Sequence, residues 1–227
     1  MSKNVYWTTK SLGSISENTV IYNELLHSVM SRRAETAGIE VSAEKLSTID
    51  NLVDSMISWL SSTDFYTAPA SLRYHDAYPG GLLYHTLQVY NKVIELLELP
   101  TFKSVVDPDS AVLVALTHDW CKINKYESYM KNVKDPVTGD WSMQPAYKYS
   151  ESYMGLGHGP QSLIMLTQFC KSKYTKLSFD EMAAIRWHMY TYDVTSYDME
   201  DLNKCNNNIP LVRLIQFADQ LAIVTYS

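Results

Sequence analysis

The 227-residue chain has a net charge of −6 and is 46% hydrophobic, so it can bury a core but lacks the basic balance of sequence-independent binders of long nucleic acid. Its three cysteines, Cys121, Cys170 and Cys205, are too few and too widely spaced for a zinc ribbon or a disulfide framework. Because the N-terminal segment has no signal-like apolar run and no apolar stretch can span a bilayer, we expect a cytoplasmic protein with no membrane partner.

Two helices are predicted in the first part of the chain. Apolar residues recur near helical spacing from Ser16 to Ala37. Ser42 is placed to cap a second helix, whose apolar positions run from Leu46 to Leu60. We interpret residues 1–65 as an N-terminal helical extension that packs on a main domain formed by residues 66–227.

The centre of the sequence predicts two further helices. One begins at Gly80-Gly81 and ends before Pro100, because proline cannot continue a helix. The next begins at Asp107-Pro108, an N-cap followed by proline at the first helical position. Residues 111–116 are apolar on all sides, so this helix should be fully buried, and it ends in His118-Asp119.

Residues 125–150 differ from the rest in their pattern. Aromatic residues lie on both sides of the turn-forming stretch 135–140, which predicts a β-hairpin inserted between helices. Helical periodicity then predicts helices over Pro160–Lys173, Ser178–Tyr190 and Ile209–Thr225. The predicted fold class is all-α, with one small inserted β-hairpin.

The doublet His118-Asp119 is the strongest local signal for chemistry. It ends a predicted buried helix, where an ionised carboxylate is costly unless it is paired or bound to a metal. Imidazole and carboxylate together are a natural ligand pair for a divalent ion. A helix end that opens to solvent also explains a lone dipeptide of this kind.

Other residues of the ligand type lie in separate predicted elements. His85 is near the start of the third helix, His158 is in a glycine-rich turn, and His188 is in an otherwise apolar helix. Asp219 is in the apolar last helix, where an exposed polar stripe made by Gln216, Asp219 and Gln220 would also explain it. With the doublet, these residues supply four imidazoles and two carboxylates, which together predict a divalent metal centre.

The same positions resemble the motifs of the HD-domain metal-dependent phosphohydrolase superfamily. Residues 78–86, YPGGLLYHT, are similar to a stretch of one branch that includes HD-type 3′–5′ exoribonucleases. Residues 116–122, LTHDWCK, resemble the family's leucine-x-His-Asp-x-x-Lys, and residues 217–221, FADQL, resemble its closing alanine-aspartate-x-leucine. The resemblance covers about residues 70–225 and implies an HD-domain helical bundle.

The resemblance also implies a dinuclear centre of divalent transition metal ions such as Mn, Fe, Co, Ni or Zn. One ion would be held by His85, His118, Asp119 and Asp219, and a second by His158 and His188 with Asp119 as the bridge. A metal-activated hydroxide would attack the phosphorus of a phosphomonoester or phosphodiester in a nucleotide or short oligonucleotide. Asp119 and Lys122 would be catalytic residues, and Lys122, His75 and Arg73 would bind the substrate.

Two other interpretations of this ligand set stay open. HD-fold di-iron oxygenases use the same set to cleave C–C or C–P bonds with O₂. A degenerate HD domain would act as a nucleotide sensor without catalysis, although every ligand position is retained here. Exoribonucleases of the similar branch carry a nucleic-acid-binding domain in front, whereas this chain is predicted helical there. We therefore expect a small phosphorylated partner and no stable binding to long nucleic acid.

Overall fold

A computed structural model describes residues 7–36, 43–172 and 175–224, and over these ranges the chain is mostly helical with one small antiparallel sheet. The helices are α1 Ile15–Thr36, α2 Ala43–Ser61, α3 Gly81–Leu97, α4 Pro100–Lys103, α5 Pro108–Thr117, α6 His158–Thr167, α7 Phe179–Trp187, α8 Met199–Asn208 and α9 Pro210–Ala222. The strands are β1 Tyr126–Lys134 and β2 Trp141–Tyr149. The predicted helical fold with an inserted hairpin is confirmed. Each helix in the described ranges is too short or too polar to span a bilayer.

Helix α5 is the central element of the fold. It packs against α1, α3, α7 and α9, and every residue from Ala111 to Thr117 is buried. The side chain of Asp107 caps its first turn by accepting a hydrogen bond from the Ser110 N–H at 2.8 Å. Because the helix ends at Thr117, the next two residues, His118 and Asp119, leave it inside the core and not at the surface.

Helices α1 and α2 share this core. Tyr22 of α1 and Leu60 of α2 are fully buried in the same hydrophobic cluster as the central helices. The Tyr22 hydroxyl donates to the carbonyl oxygen of Leu116 at 2.9 Å and accepts from the Trp120 indole N–H at 3.1 Å. The first two helices therefore form one wall of the core, and the division at residue 65 stays a prediction.

Several element boundaries differ from the prediction. Pro100 begins α4, because a proline at the first helical position loses no intrahelical hydrogen bond. Helix α6 begins at His158, two residues before the predicted start, and α7 ends at Trp187, before the predicted end at Tyr190. The predicted boundaries at Ala37, Lys173 and Thr225, and the predicted cap Ser42, lie outside the described residues.

Helix α8 is absent from the prediction, and its composition explains why. Its sequence, MEDLNKCNNN, is mostly polar, and its buried residues are Leu202 and Asn206. Its few apolar residues do recur at helical spacing, but a segment this polar is typical of a loop in composition, and it is absent from the prediction for that reason.

Candidate metal centre

Side chains from α3, from α9 and from the segment after α5 converge at the end of the central helix. The Nε2 atoms of His85 and His118 lie 3.0 Å and 4.0 Å from Oδ1 of Asp219. The ligand atoms of these three residues all lie within 4.8 Å of one another. Ligand atoms about 2.1 Å from one ion lie within roughly 4.2 Å of one another, so a small contraction of this triad accommodates an ion.

Asp119 lies beside the triad and faces two groups of imidazoles. Its Oδ2 is 3.5 Å from Nε2 of His85 and 3.4 Å from Nε2 of His118. Its Oδ1 is 3.6 Å from Nε2 of His188. The carboxylate therefore lies between the triad and His188, as its predicted bridging role requires.

Backbone carbonyl groups orient the imidazoles of His118 and His188. Nδ1 of His118 lies 2.8 Å from the Ala115 carbonyl oxygen, and Nδ1 of His188 lies 2.8 Å from that of Ile185. A carbonyl can only accept, so each Nδ1 carries a proton, and Nε2 is the ring nitrogen placed to offer a lone pair to an ion. Both Nε2 atoms are buried without a hydrogen-bond partner in the described part of the chain. Leaving such acceptors unpaired costs free energy that a bound cation would recover.

The two carboxylates of the centre are ionised at neutral pH. Burial opposes ionisation, but the Lys122 ammonium and then His118 hold the pKa of Asp119 well below its usual range. Against the same opposition, contact with His85 lowers the pKa of Asp219. Anionic carboxylates combined with imidazoles form a donor set that suits divalent transition metals. The residues present therefore fit a metal ion.

Lys122 is a buried residue and not an exposed lysine at a helix end. It is only 6% exposed, and its Nζ lies 2.6 Å from Oδ2 of Asp119. Although burial opposes this, Asp119 raises the pKa of Lys122. The ammonium thus neutralises the carboxylate oxygen that also faces His85 and His118. Its predicted contact with a substrate phosphate stays a prediction.

The two other predicted substrate-binding residues have different positions. The His75 ring centroid lies 4.8 Å from that of His85, and its buried Nε2 has no hydrogen-bond partner among the residues described. Burial and then His85 lower the pKa of His75 to about 4. Arg73 is exposed, and its guanidinium lies 5.5 Å from the ring centroid of Tyr74. The structure therefore brings His75, but not Arg73, against a predicted ligand.

His158 lies apart from the other predicted ligands. Its Nε2 accepts a hydrogen bond from Nζ of Lys125 at 2.8 Å. Burial and then Lys125 lower the pKa of His158 to about 4, and the charge of Asp119 also acts on it. His158 is thus within electrostatic reach of the centre, but its ligand atom is occupied. This arrangement does not match the predicted second-ion site, which needs a free Nε2.

Lys125 is a functional candidate that the sequence analysis missed. It is 5% exposed, and its Nζ lies 5.3–5.9 Å from three aromatic ring centroids, those of Tyr126, Tyr149 and Tyr153. The signal available in the sequence was its position three residues after Lys122. A buried ammonium held by aromatic faces and one imidazole places positive charge beside the centre.

Asp76 and Gln216 are two further residues that the sequence analysis did not assign to the site. Oδ2 of Asp76 is 3.8 Å from Nδ1 of His85, where an outer partner of a ligating imidazole is expected. Gln216 is buried and donates to the carbonyl oxygen of Trp187 at 2.8 Å. The alternative of an exposed polar stripe on α9 is therefore wrong for Gln216.

Gly81 allows the Asp76 segment to pass close to the start of α3. A Cβ added at Gly81 would lie 1.9 Å from the carbonyl oxygen of Asp76, and that oxygen accepts from the Ala70 N–H at 3.0 Å. The glycine therefore holds Asp76 and His75 against His85, four residues further along the helix.

Gly81→Ala is expected to displace this segment, because backbone atoms would have to move away from the added methyl group. We expect a loss of about 1–3 kcal/mol in the free energy of unfolding and weaker metal binding. Chemical denaturation and metal titration measure the two effects. Gly13→Ala is the control, since the atoms nearest to its added methyl group belong to the exposed side chain of Glu17. Unchanged stability and metal affinity in Gly81→Ala would contradict this account of the loop.

Comparison of the chain with protein-family models, with curated proteins and with solved structures finds no match. The assignment of the centre therefore depends on the residues, distances and burial given above. Membership of the HD-domain superfamily stays a prediction from the sequence motifs.

Proposed function

We propose that the protein is a metal-dependent phosphohydrolase that cleaves a phosphoester bond in a nucleotide or short oligonucleotide. The observation that supports this most is the pair of buried Nε2 atoms of His118 and His188, which face Asp119 and have no hydrogen-bond partner among the described residues. Such acceptors beside an ionised carboxylate form a site that a cation would complete.

One ion would be held by His85, His118, Asp119 and Asp219. When bound, such an ion supplies Lewis acidity, which lowers the pKa of water and neutralises charge on a phosphoryl oxygen. Oδ1 of Asp119 and Nε2 of His188 could bind a second ion. Nε2 of His158 could bind the same ion only if its hydrogen bond with Lys125 were broken. We therefore expect the second ion to bind more weakly than the first.

Lys122 provides the second reason for a phosphorylated substrate. Its ammonium is buried beside Asp119, so it acts in a region of low water content, where charge-assisted hydrogen bonds are strong. Once Asp119 is engaged by an ion, Lys122 can donate to a phosphoryl oxygen as a point charge. The burial of His118 and Asp119 keeps bulk water from the same region.

An HD-fold oxygenase is the second candidate, and one observation favours it. The triad His85, His118 and Asp219 has the two-histidine, one-carboxylate composition of non-haem iron oxygenases. The buried Lys122 favours the hydrolase, because an anionic phosphate can pair with its ammonium. A nucleotide sensor without turnover is the third interpretation, and the experiment below distinguishes it from the other two.

A metal-supplemented substrate screen tests the proposal. Chelator-treated protein is loaded with Mn, Fe, Co, Ni or Zn and given mononucleotides, cyclic nucleotides, dinucleotides and a strand of about 20 nucleotides. We expect hydrolysis that needs no O₂ and is lost when the metal is chelated. We also expect dinucleotides to be hydrolysed better than the long strand, because an acidic protein gains little from the counterions that a long strand would release. O₂ consumption coupled to turnover would support the oxygenase, and binding without turnover under every metal would support the sensor.

The metal stoichiometry tests the role of the second group of ligands. Wild-type protein should bind two equivalents with different affinities, and His188→Ala should bind one, because Asp119 then has no imidazole on its Oδ1 side. His158→Ala should leave the tighter site unchanged and weaken the other. His27→Ala, which removes an imidazole beside Asp54 on the first two helices, is the control. Isothermal titration measures both sites, and a single equivalent in wild type would leave a mononuclear centre.

A further inference from the structure

The β1–β2 hairpin has two chemically different faces. Cross-strand neighbours share a face of an antiparallel pair, and Glu127 and Lys148 form an ion pair of 2.7 Å on one of them. The other face is aromatic and apolar towards its base, where the opposed pairs are Tyr126–Tyr149, Ser128–Tyr147 and Met130–Pro145. The hairpin is therefore amphipathic.

The core does not cover the outer part of the aromatic face. Met130, Met143 and Trp141 are 53%, 58% and 64% exposed. A two-stranded hairpin is marginally stable alone, and contiguous exposed apolar side chains commonly mark a binding surface. At the inner part of this face, a ligand could contact the apolar side chains of the hairpin and also the segment that precedes α3.

A cleft of about 570 Å³ lies at that inner part. Tyr126, Ser128 and Tyr147 line one side, and Tyr78 with two prolines of the segment before α3 lines the other. The volume is within the range of small-molecule pockets, roughly 300–1,000 Å³. Aromatic and proline surfaces on both sides suit a flat, uncharged ring.

The charge of the cleft excludes a phosphate as its occupant. Among the described residues that line it, the charged one is Asp64, and Oδ1 of Asp64 accepts from the Asn124 N–H at 2.6 Å. A carboxylate repels a phosphate, but it can accept hydrogen bonds from ring N–H groups. The cleft therefore suits the uncharged part of a substrate whose phosphate lies elsewhere.

Residues on both sides of the cleft contact groups that lie beside the metal centre. The Tyr78 hydroxyl donates to Oδ1 of Asp76 at 2.8 Å, and Oδ2 of Asp76 is 3.8 Å from Nδ1 of His85. On the hairpin side, the ring of Tyr126 lies 5.7 Å from Nζ of Lys125. These contacts place both walls of the cleft next to groups that border the centre, which is the arrangement that a substrate with a flat ring and a phosphate needs.

We propose that this cleft binds the nucleobase of the substrate, by stacking against Tyr126, Tyr147 and Tyr78, while the phosphate lies at the metal centre. The inference depends on the proposed function, which places the phosphate at the metal centre. What it adds is that the rest of the substrate carries a nucleobase. Base–aromatic stacking is tolerant of sequence because every base has a π-face, so the cleft selects a planar ring before it selects one particular base.

Kinetics with and without the base test the proposal. KM is measured for the 5′-monophosphates of the four ribonucleosides and for ribose 5-phosphate. Tyr147→Ala removes a stacking surface, and Ser128→Trp fills the cleft without removing buried contacts. Each should raise KM for the nucleotides about tenfold or more and leave KM for ribose 5-phosphate within about twofold. Tyr129→Ala, on the opposite face of β1, is the matched control and should change neither.

Equal loss for nucleotides and ribose 5-phosphate, or no loss for any nucleotide, would overturn the nucleobase site. A binding experiment separates this inference from the proposed function. Saturation-transfer NMR measures whether the four free nucleosides bind to chelator-treated protein. Nucleoside binding that Ser128→Trp removes, without any hydrolysis, would keep the cleft and reject the hydrolase. Hydrolysis of phosphoesters without binding of any nucleoside would keep the hydrolase and reject the cleft.

Discussion

Asp119→Asn is expected to abolish hydrolysis and to strip the bound metal. One oxygen of this carboxylate faces His85 and His118, and the other faces His188. The amide keeps the size of the side chain but loses the negative charge and one acceptor oxygen. We expect kcat/KM to fall by at least about 1,000-fold, more than for the loss of a single active-site hydrogen-bond donor.

Emission spectrometry measures the metal content of this variant, and steady-state kinetics measure its turnover. Since Asp119→Asn also leaves Lys122 without its anionic partner, near-ultraviolet circular dichroism is needed to show that the fold persists. Asp54→Asn, on the exposed surface of α2, is the matched control. A folded Asp119→Asn protein with full metal content and normal turnover would place the centre elsewhere.

The fold could be predicted largely because burial leaves a pattern in the sequence. The run of apolar residues 111–116 predicts a central helix, and this helix is buried on all sides. The hairpin was predicted from aromatic residues around a turn, and its strands pair in register from Tyr126–Tyr149 to Lys134–Trp141. Helix α8 was missed because it has too few apolar residues to stand out, although those few lie at helical spacing.

The candidate centre could be predicted in part, for a related reason. His85, His118 and Asp219 each follow from motifs on helices that pack together, and their ligand atoms are within 4.8 Å of one another. The pairing of His158 with Lys125 joins residues 33 positions apart. That contact depends on the path of the chain around the hairpin, which local periodicity does not report.

The burial of Lys122 was also beyond sequence patterns. Lys122, three residues after Asp119, is the last residue of a 3₁₀ turn formed by Trp120–Lys122 and does not continue the α-helix. The spacing of an α-helix therefore does not predict the direction of its side chain. The structure directs the ammonium onto Asp119. The pairing with Asp119 is the role of Lys122 in the metal-free protein, and its proposed role towards a substrate phosphate can be tested separately.

Lys122→Met is expected to reduce turnover while preserving or strengthening metal binding. Without metal, the variant leaves Asp119 as a buried charge that has lost its nearest cation, which costs roughly 3–5 kcal/mol. A bound ion supplies the missing positive charge, so added Mn²⁺ should stabilise the variant more than it stabilises wild type. Turnover should fall about 100- to 1,000-fold, because the substrate phosphate loses a preorganised cation.

Thermal unfolding with and without Mn²⁺, metal titration and kcat/KM together decide the role of Lys122. Lys92→Met, which removes a partly exposed ammonium paired with Glu95 at 2.8 Å on α3, is the control and should leave all three quantities unchanged. If Lys122→Met loses metal as Asp119→Asn does, the lysine organises the ligands and does not serve the substrate. If turnover is unchanged, no phosphate contacts this ammonium. A loss of turnover with intact metal binding assigns Lys122 to the substrate, because a residue that only maintained the centre would change both.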